Sequence, residues 1–175
     1  MKINEGMDTG DIVSQSTVVV EENTTQGELE DLLAHKGAEL LIQTLLPYAK
    51  EEIRPQPQDH KKATYAPRMA KKDAQIDWNR SAPEIHNWVR ALNPWPTAAA
   101  HFQGKKVKIW CSRHVEEGQA DSRAVGQPGA ILELGQDEII VECGEKTLLS
   151  LRELQLPNRA RISAGDFVNG VNARA

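Results

Sequence analysis

The 175-residue chain is short of cysteine, aromatic residues and long apolar runs, and each shortage excludes something. Its two cysteines, Cys111 and Cys143, stand far apart with no CxxC pair and no clustered histidine. That pattern rules out a disulfide scaffold and a zinc ribbon, and predicts two reduced, buried thiols. The longest uncharged stretches, 40–49 and 91–104, fall well below the ~20 apolar residues of a membrane-spanning helix, and the second contains two prolines. Met1-Lys2-Ile3-Asn4-Glu5-Gly6 holds no apolar signal core, so a cytoplasmic location is expected. GxGxxG, Walker A, HExxH and GxSxG are all missing, and His35, His60, His86, His101 and His114 occur singly. Dinucleotide, P-loop, zincin and serine-hydrolase chemistry therefore have no sequence support, and no metal site is expected.

Composition is that of a slightly polar globular protein, 39% hydrophobic and 26% charged. The net charge of −4 conceals an asymmetry. Residues 1–59 carry 4 Lys+Arg against 12 Asp+Glu, a balance of −8; residues 60–175 carry 17 against 13, a balance of +4. Opposite signs in the two parts suggest two units with different partners.

The hydropathy pattern divides in the same place. After the turn-prone Asp8-Thr9-Gly10-Asp11, the β-rich run Ile12–Val20 predicts one strand. Thr25 followed by Glu28 is a capping-box signal. Leu29, Leu32, Leu33, Leu40, Leu41, Leu45 and Leu46 then fall at helical spacing, with Gly37 expected to break the run into two helices. One strand and two helices enclose no core, so residues 1–50 read as an incomplete α/β piece. Residues 51–63, with Pro55 and Pro57 and no apolar periodicity, read as an extended linker.

Residues 64–175 follow a different logic. Ser81-Ala82-Pro83-Glu84 is a second capping box, and Ile85, Trp88, Val89 and Leu92 form one helical face before Pro94. At least four short strands are expected, around 107–111, 131–134, 138–142 and 147–154, separated by Gly104, Gly129, Gly135 and Gly144. A short helix over 163–168 closes the pattern, which predicts a small barrel or sandwich. Trp78, Trp88, Trp95 and Trp110 occupy helical and strand contexts and read as core residues.

Several segments in this order resemble methionyl-tRNA formyltransferases. They are Gly6-Met7-Asp8-Thr9-Gly10-Asp11-Ile12, Ala63-Thr64-Tyr65-Ala66, Ala74-Gln75-Ile76-Asp77-Trp78 and Leu92-Asn93-Pro94-Trp95-Pro96. Val107-Lys108-Ile109-Trp110 and Ser163-Ala164-Gly165-Asp166-Phe167-Val168-Asn169-Gly170 complete the series. The likeness runs over the whole chain, and formyltetrahydrofolate dehydrogenase hydrolase modules and sugar N-formyltransferases share parts of it. The resemblance implies an α/β remnant, the end of a Rossmann-like formyl-transferase domain, in residues 1–50. It implies a mostly β, OB-like, tRNA-binding barrel with one or two helices in 64–175.

It also implies a reaction. The α-amine of initiator methionyl-tRNA attacks the formyl carbon of 10-formyltetrahydrofolate, and an Asn, a His and an Asp manage the oxyanion and the proton. Asp8 matches that Asp. The Asn, the His and a folate-binding Ser-Leu-Leu-Pro stretch match nothing in these residues, so Met1 is expected to correspond to an internal methionine of a longer protein, inactive in this form and without bound folate. The resemblance further places a basic tRNA-facing channel on the C-terminal domain. Arg68, Lys71, Lys72, Lys105, Lys106, Lys108, Arg159 and Arg161 are the candidates for it, positioning phosphates rather than reading sequence. The incomplete leucine-rich segment offers a route to self-association. Two alternatives stay open: the equivalent piece of another folate-dependent formyl transferase or hydrolase, and a free-standing RNA-binding module.

Overall fold

The computed structural model describes residues 1–115 and 125–172 and divides into two compact units, Met1–Arg68 and Met69–Ala175.

The first unit is built around α1, Gln26–Ala49. Thr25 caps it as expected: Glu28 N donates to Thr25 Oγ1, while Thr25 N donates to the Glu28 carboxylate at 2.9 Å. These bonds hold the Glu28 carboxyl below its usual pKa, the backbone N–H of Thr25 contributing most. The expected break at Gly37 does not occur, because the helix runs through it. A Cβ there would meet nothing within 4 Å, so the position is open and the glycine costs the helix only its propensity, ~1 kcal/mol. The expected strand over 12–20 is also absent. Only Ile12 pairs, in an isolated antiparallel bridge with Gln56. β-propensity requires a neighbour to pair with, and the described residues of this unit supply one bridge position rather than a strand. Thr44, hydrogen bonded to Ser14 at 2.8 Å, is the one buried residue of α1, while Leu41, Ile42, Leu45 and Leu46 stay exposed.

The second unit has its own core. Helix α2, Ala82–Ala91, starts where Ser81 N and Oγ both donate to the Glu84 carboxylate. Among the described residues six antiparallel strands follow: β1 Ala99–Phe102, β2 Lys105–His114, β3 Ile131–Leu134, β4 Ile139–Glu142, β5 Leu148–Gln155 and β6 Arg161–Ser163. β1 and β6 lie outside the four expected strands. Sheet order is β1-β2-β5-β4-β3, with β6 sharing the second edge of β5 beyond β4. The sheet curls into a half-barrel. Helix α3, Ala164–Asn172, begins at Ser163, whose Oγ accepts from Asp166 N at 3.0 Å.

Alternation decides what is inside. Val107 and Ile109, Ile139 and Val141, Leu149, Leu151 and Leu154 meet Ile85 and Val89 of α2, Leu92 at its C-cap and Phe167 of α3 in one buried cluster. Two glycines permit close approach: a Cβ on Gly144 would sit 1.9 Å from Asn79 O, and one on Gly165 equally close to Gln136 O. Glu142 is buried but spoken for. Burial pulls its carboxyl upward, yet N–H groups of Val125, Gly126 and Gln127 and the Lys146 charge outweigh this and hold it below the ordinary value. Cys143 is free and buried, its thiol pushed up to about 12 by desolvation; Cys111 is free and half-buried, and desolvation raises it too.

Candidate nucleic-acid interface

The outward face of β1, β2, β5 and β6 gathers much of the basic set. The β1–β2 hairpin closes on Gln103 and Gly104, with φ of 48° and 74°, the two left-handed residues of a tight type I′ turn. Lys105 and Lys106 follow the turn directly. Because Val107 and Ile109 point into the core, Lys106 and Lys108 point out of it. Register then aligns this face across strands: His101 opposes Lys106, Lys108 opposes Gln155, and Gln155 opposes Arg161.

Trp110 stands beside this row at an irregularity. Ile109 pairs with Leu154 and Cys111 with Glu153, so Trp110 is the unopposed residue of a β-bulge. Its indole N–H donates to Gln155 Oε1 at 3.0 Å. The Arg161 guanidinium carbon lies 4.1 Å from the ring centroid, and Lys108 Nζ lies 5.6 Å from it. Arg161 Nη1 also pairs with Glu153 at 3.1 Å. Arg159, exposed in the β5–β6 turn, is held through its carbonyl, which accepts from Gln155 Nε2 at 2.8 Å. Lys105 and Arg159 border an open groove floored by Phe102, Leu156, Ile162 and Phe167, where the two phenyl rings meet edge to face at 5.5 Å.

Lys106, Lys108, Arg159 and Arg161 thus come together, with Lys105 at the adjoining groove. Lys71 and Lys72 are exposed on a short 3₁₀ turn, Lys71–Ala74, that leads to the β1 edge through the Gln75–Ala99 bridge. Arg68 ends the first unit and is exposed. Asp8, in that same unit, is exposed at φ 55°; its carbonyl accepts from Gln58 Nε2 at 2.9 Å. Among the described residues no group of three or more His, Cys, Asp or Glu is arranged to hold a metal, and no helix is long and apolar enough to cross a membrane.

The tryptophans need correction. Trp78 and Trp88 pack partly buried against the core, as expected. Trp95 is 52% exposed, on the turn after α2 where Thr97 N returns to Leu92 O. Trp110 is half-buried on the basic face rather than in the core. Its spacing of two from Lys108 puts both on one strand face, and that was the available signal.

A half-barrel of antiparallel strands with a basic outer face and two packing helices defines the class: residues 68–172 match the formyl transferase C-terminal domain family. The whole chain is similar to the methionyl-tRNA formyltransferase of Coxiella burnetii, 38% identical over 97% of this chain and 52% of that protein. The Bacillus subtilis methionyl-tRNA formyltransferase is 36% identical over 100% and 54%. An N-formyltransferase from Helicobacter canadensis, solved with folinic acid and dTDP-3-aminofucose, shares the fold with a TM-score of 0.65 at 18% identity, covering 85% of this chain and 52% of that one. The chain belongs to the formyl transferase C-terminal domain family, and its likeness is to the C-terminal portion of methionyl-tRNA formyltransferases. It spans about half the length of the curated relatives it matches.

Proposed function

We propose that this chain supplies the tRNA-holding part of an enzyme that formylates the α-amine of initiator methionyl-tRNA from 10-formyltetrahydrofolate. The observation that carries the reading is the register that puts Lys106, Lys108 and Arg161 on one solvent face, with Arg159 held beside them. Such a row tracks a phosphate backbone without reading bases. Arg68, Lys71, Lys72 and Lys105 extend the positive surface in this reading, and the second unit acts as an OB-like module. The folate donor is supported by the folinic acid in the related N-formyltransferase. Asp8 serves as the catalytic carboxylate of the first unit, read as the end of a Rossmann-like domain. The exposed leucines of α1 mark the face that a neighbouring element, or a second copy, covers.

These 175 residues alone catalyse no formyl transfer in this account, since loss of one oxyanion donor by itself costs ~10²–10³ in turnover. Fusion behind the N-terminal half of the Bacillus subtilis relative tests the whole reading. The fusion should formylate methionyl-tRNA, and changing Lys106, Lys108, Arg159 and Arg161 to Ala should raise KM for the tRNA while leaving KM for the formyl donor unchanged. Asp8→Asn should lower kcat by ~10²–10⁴. A fusion that formylates an amino sugar nucleotide instead, or whose tRNA KM ignores the four substitutions, overturns it.

A further inference from the structure

We propose that Trp110 is a positioning residue for RNA phosphates: its indole preorganises Lys108 and Arg161, and through Gln155 it anchors the turn that carries Arg159, before the nucleic acid arrives. The inference rests on the reading above that this face takes tRNA. Lysine and arginine side chains on a strand face have many rotamers, and ordering them on binding opposes association. Here much of that ordering is already done. The Arg161 guanidinium lies 4.1 Å from the indole centroid and Lys108 Nζ lies 5.6 Å from it, both within the ~6 Å over which a cation is drawn to the ring. Glu153 takes one edge of the guanidinium, Nη1, while the side chain keeps 46% of its exposure, so its other N–H groups are available to a phosphate.

Two further features set Trp110 apart from a residue that merely fills space. It is the extra residue of a bulge, unopposed on the neighbouring strand while it keeps the outward face it shares with Lys108. Its N–H fixes the Gln155 amide, which in turn donates to the Arg159 carbonyl and so anchors the β5–β6 turn. One indole therefore touches two cations and, through Gln155, anchors the turn that carries a third. Substituting the ring removes organisation without removing charge. That separates it from the cations themselves in a salt titration, because the slope counts charges while the intercept also counts their ordering.

The test measures binding of a fluorescently labelled tRNA transcript by the full 175-residue chain across a potassium chloride series, with thermal melting of each variant. R161A and K108A should each reduce the slope of log affinity against log salt by ~0.7–0.9. W110A should bind roughly five- to thirtyfold more weakly at fixed salt with a slope close to wild type, and W110F should stay within about threefold. R161K, which keeps the charge but loses the planar stack, should weaken binding at unchanged slope and serves if W110A fails to fold. The W110A/R161A double variant should lose less than the product of the single losses. Binding by W110A or R161K equal to wild type, with R161A and K108A weakened, overturns the role of Trp110 alone. If R161A and K108A leave affinity and slope untouched, the face is wrongly assigned and the proposal falls with it.

Discussion

The two units differ in what they bury. The second closes a core of its own, in which Leu92, Cys143, Leu148 and Leu149 reach zero exposure. The first buries one side chain of its 24-residue helix, Thr44, and leaves Ile42 75% and Leu46 63% exposed. Apolar residues recur at helical spacing both in α2, where they are covered, and in α1, where they are not. Amphipathic spacing therefore reports that a face is meant to be covered, while the covering layer has to be found elsewhere. The proposed roles divide along the same line: most of the candidate cations sit on the unit with a closed core, and Asp8 on the other.

The sharpest way to break this contrast is a pair of truncations read by urea denaturation. Leu149→Ala should cost the second unit about 2–5 kcal/mol, as removal of a fully buried leucine does. Leu45→Ala, at a site 56% exposed, should change stability by no more than about 0.5 kcal/mol. A large loss at Leu45 would mean that this face is covered in solution, and a matching rise in mass by light scattering would identify a second copy as the cover.

A smaller contrast concerns acid. Glu142 in the second unit and Glu28 in the first both have depressed carboxyls, so each stabilises the folded state above the ordinary carboxylate pKa, and that contribution is lost as pH falls through the depressed value. Glu142 ties the 125–127 segment to a buried strand end, with Val125 N and Gly126 N each at 2.8 Å. Stability of the second unit should therefore decline below about pH 4.5, and Glu142→Gln should be less stable at neutral pH with a flatter acid limb. Thr25→Ala should cost about 0.5–2 kcal/mol of helix stability, read as lost helicity confined to the first unit. Last in size, a thiol reagent at pH 8 should leave Cys143 unmodified until the protein is denatured, since burial holds its thiol up at about 12.

Much of the second unit was legible because its strands alternate and its turns carry glycine. β1 escaped because Ala99 and Ala100 have little β-propensity, and β6 because three residues make no pattern. The strand read into 12–20 failed for the opposite reason: Val18, Val19 and Val20 have the propensity, and no described strand pairs with them. Charge and the family resemblance nominated Lys106, Lys108, Arg159 and Arg161 as candidates. Neither could show that Gln155 stands between Lys108 and Arg161, since that is a matter of register across residues 47 positions apart at one step and 6 at the next. Trp110 was read as core from its strand context, although its spacing of two from Lys108 places it on the outward face.

The most direct test of the central claim, that the self-contained unit holds the tRNA surface, is a salt titration of tRNA binding by a fragment comprising residues 69–175 beside the full chain. With ~4 phosphates neutralised, log affinity should fall against log salt with a slope near −3 in both, at about 0.7–0.9 per contact. Equal slopes and similar affinities are the predicted result. A folded fragment whose binding is absent or indifferent to salt, while the full chain still binds, would contradict it.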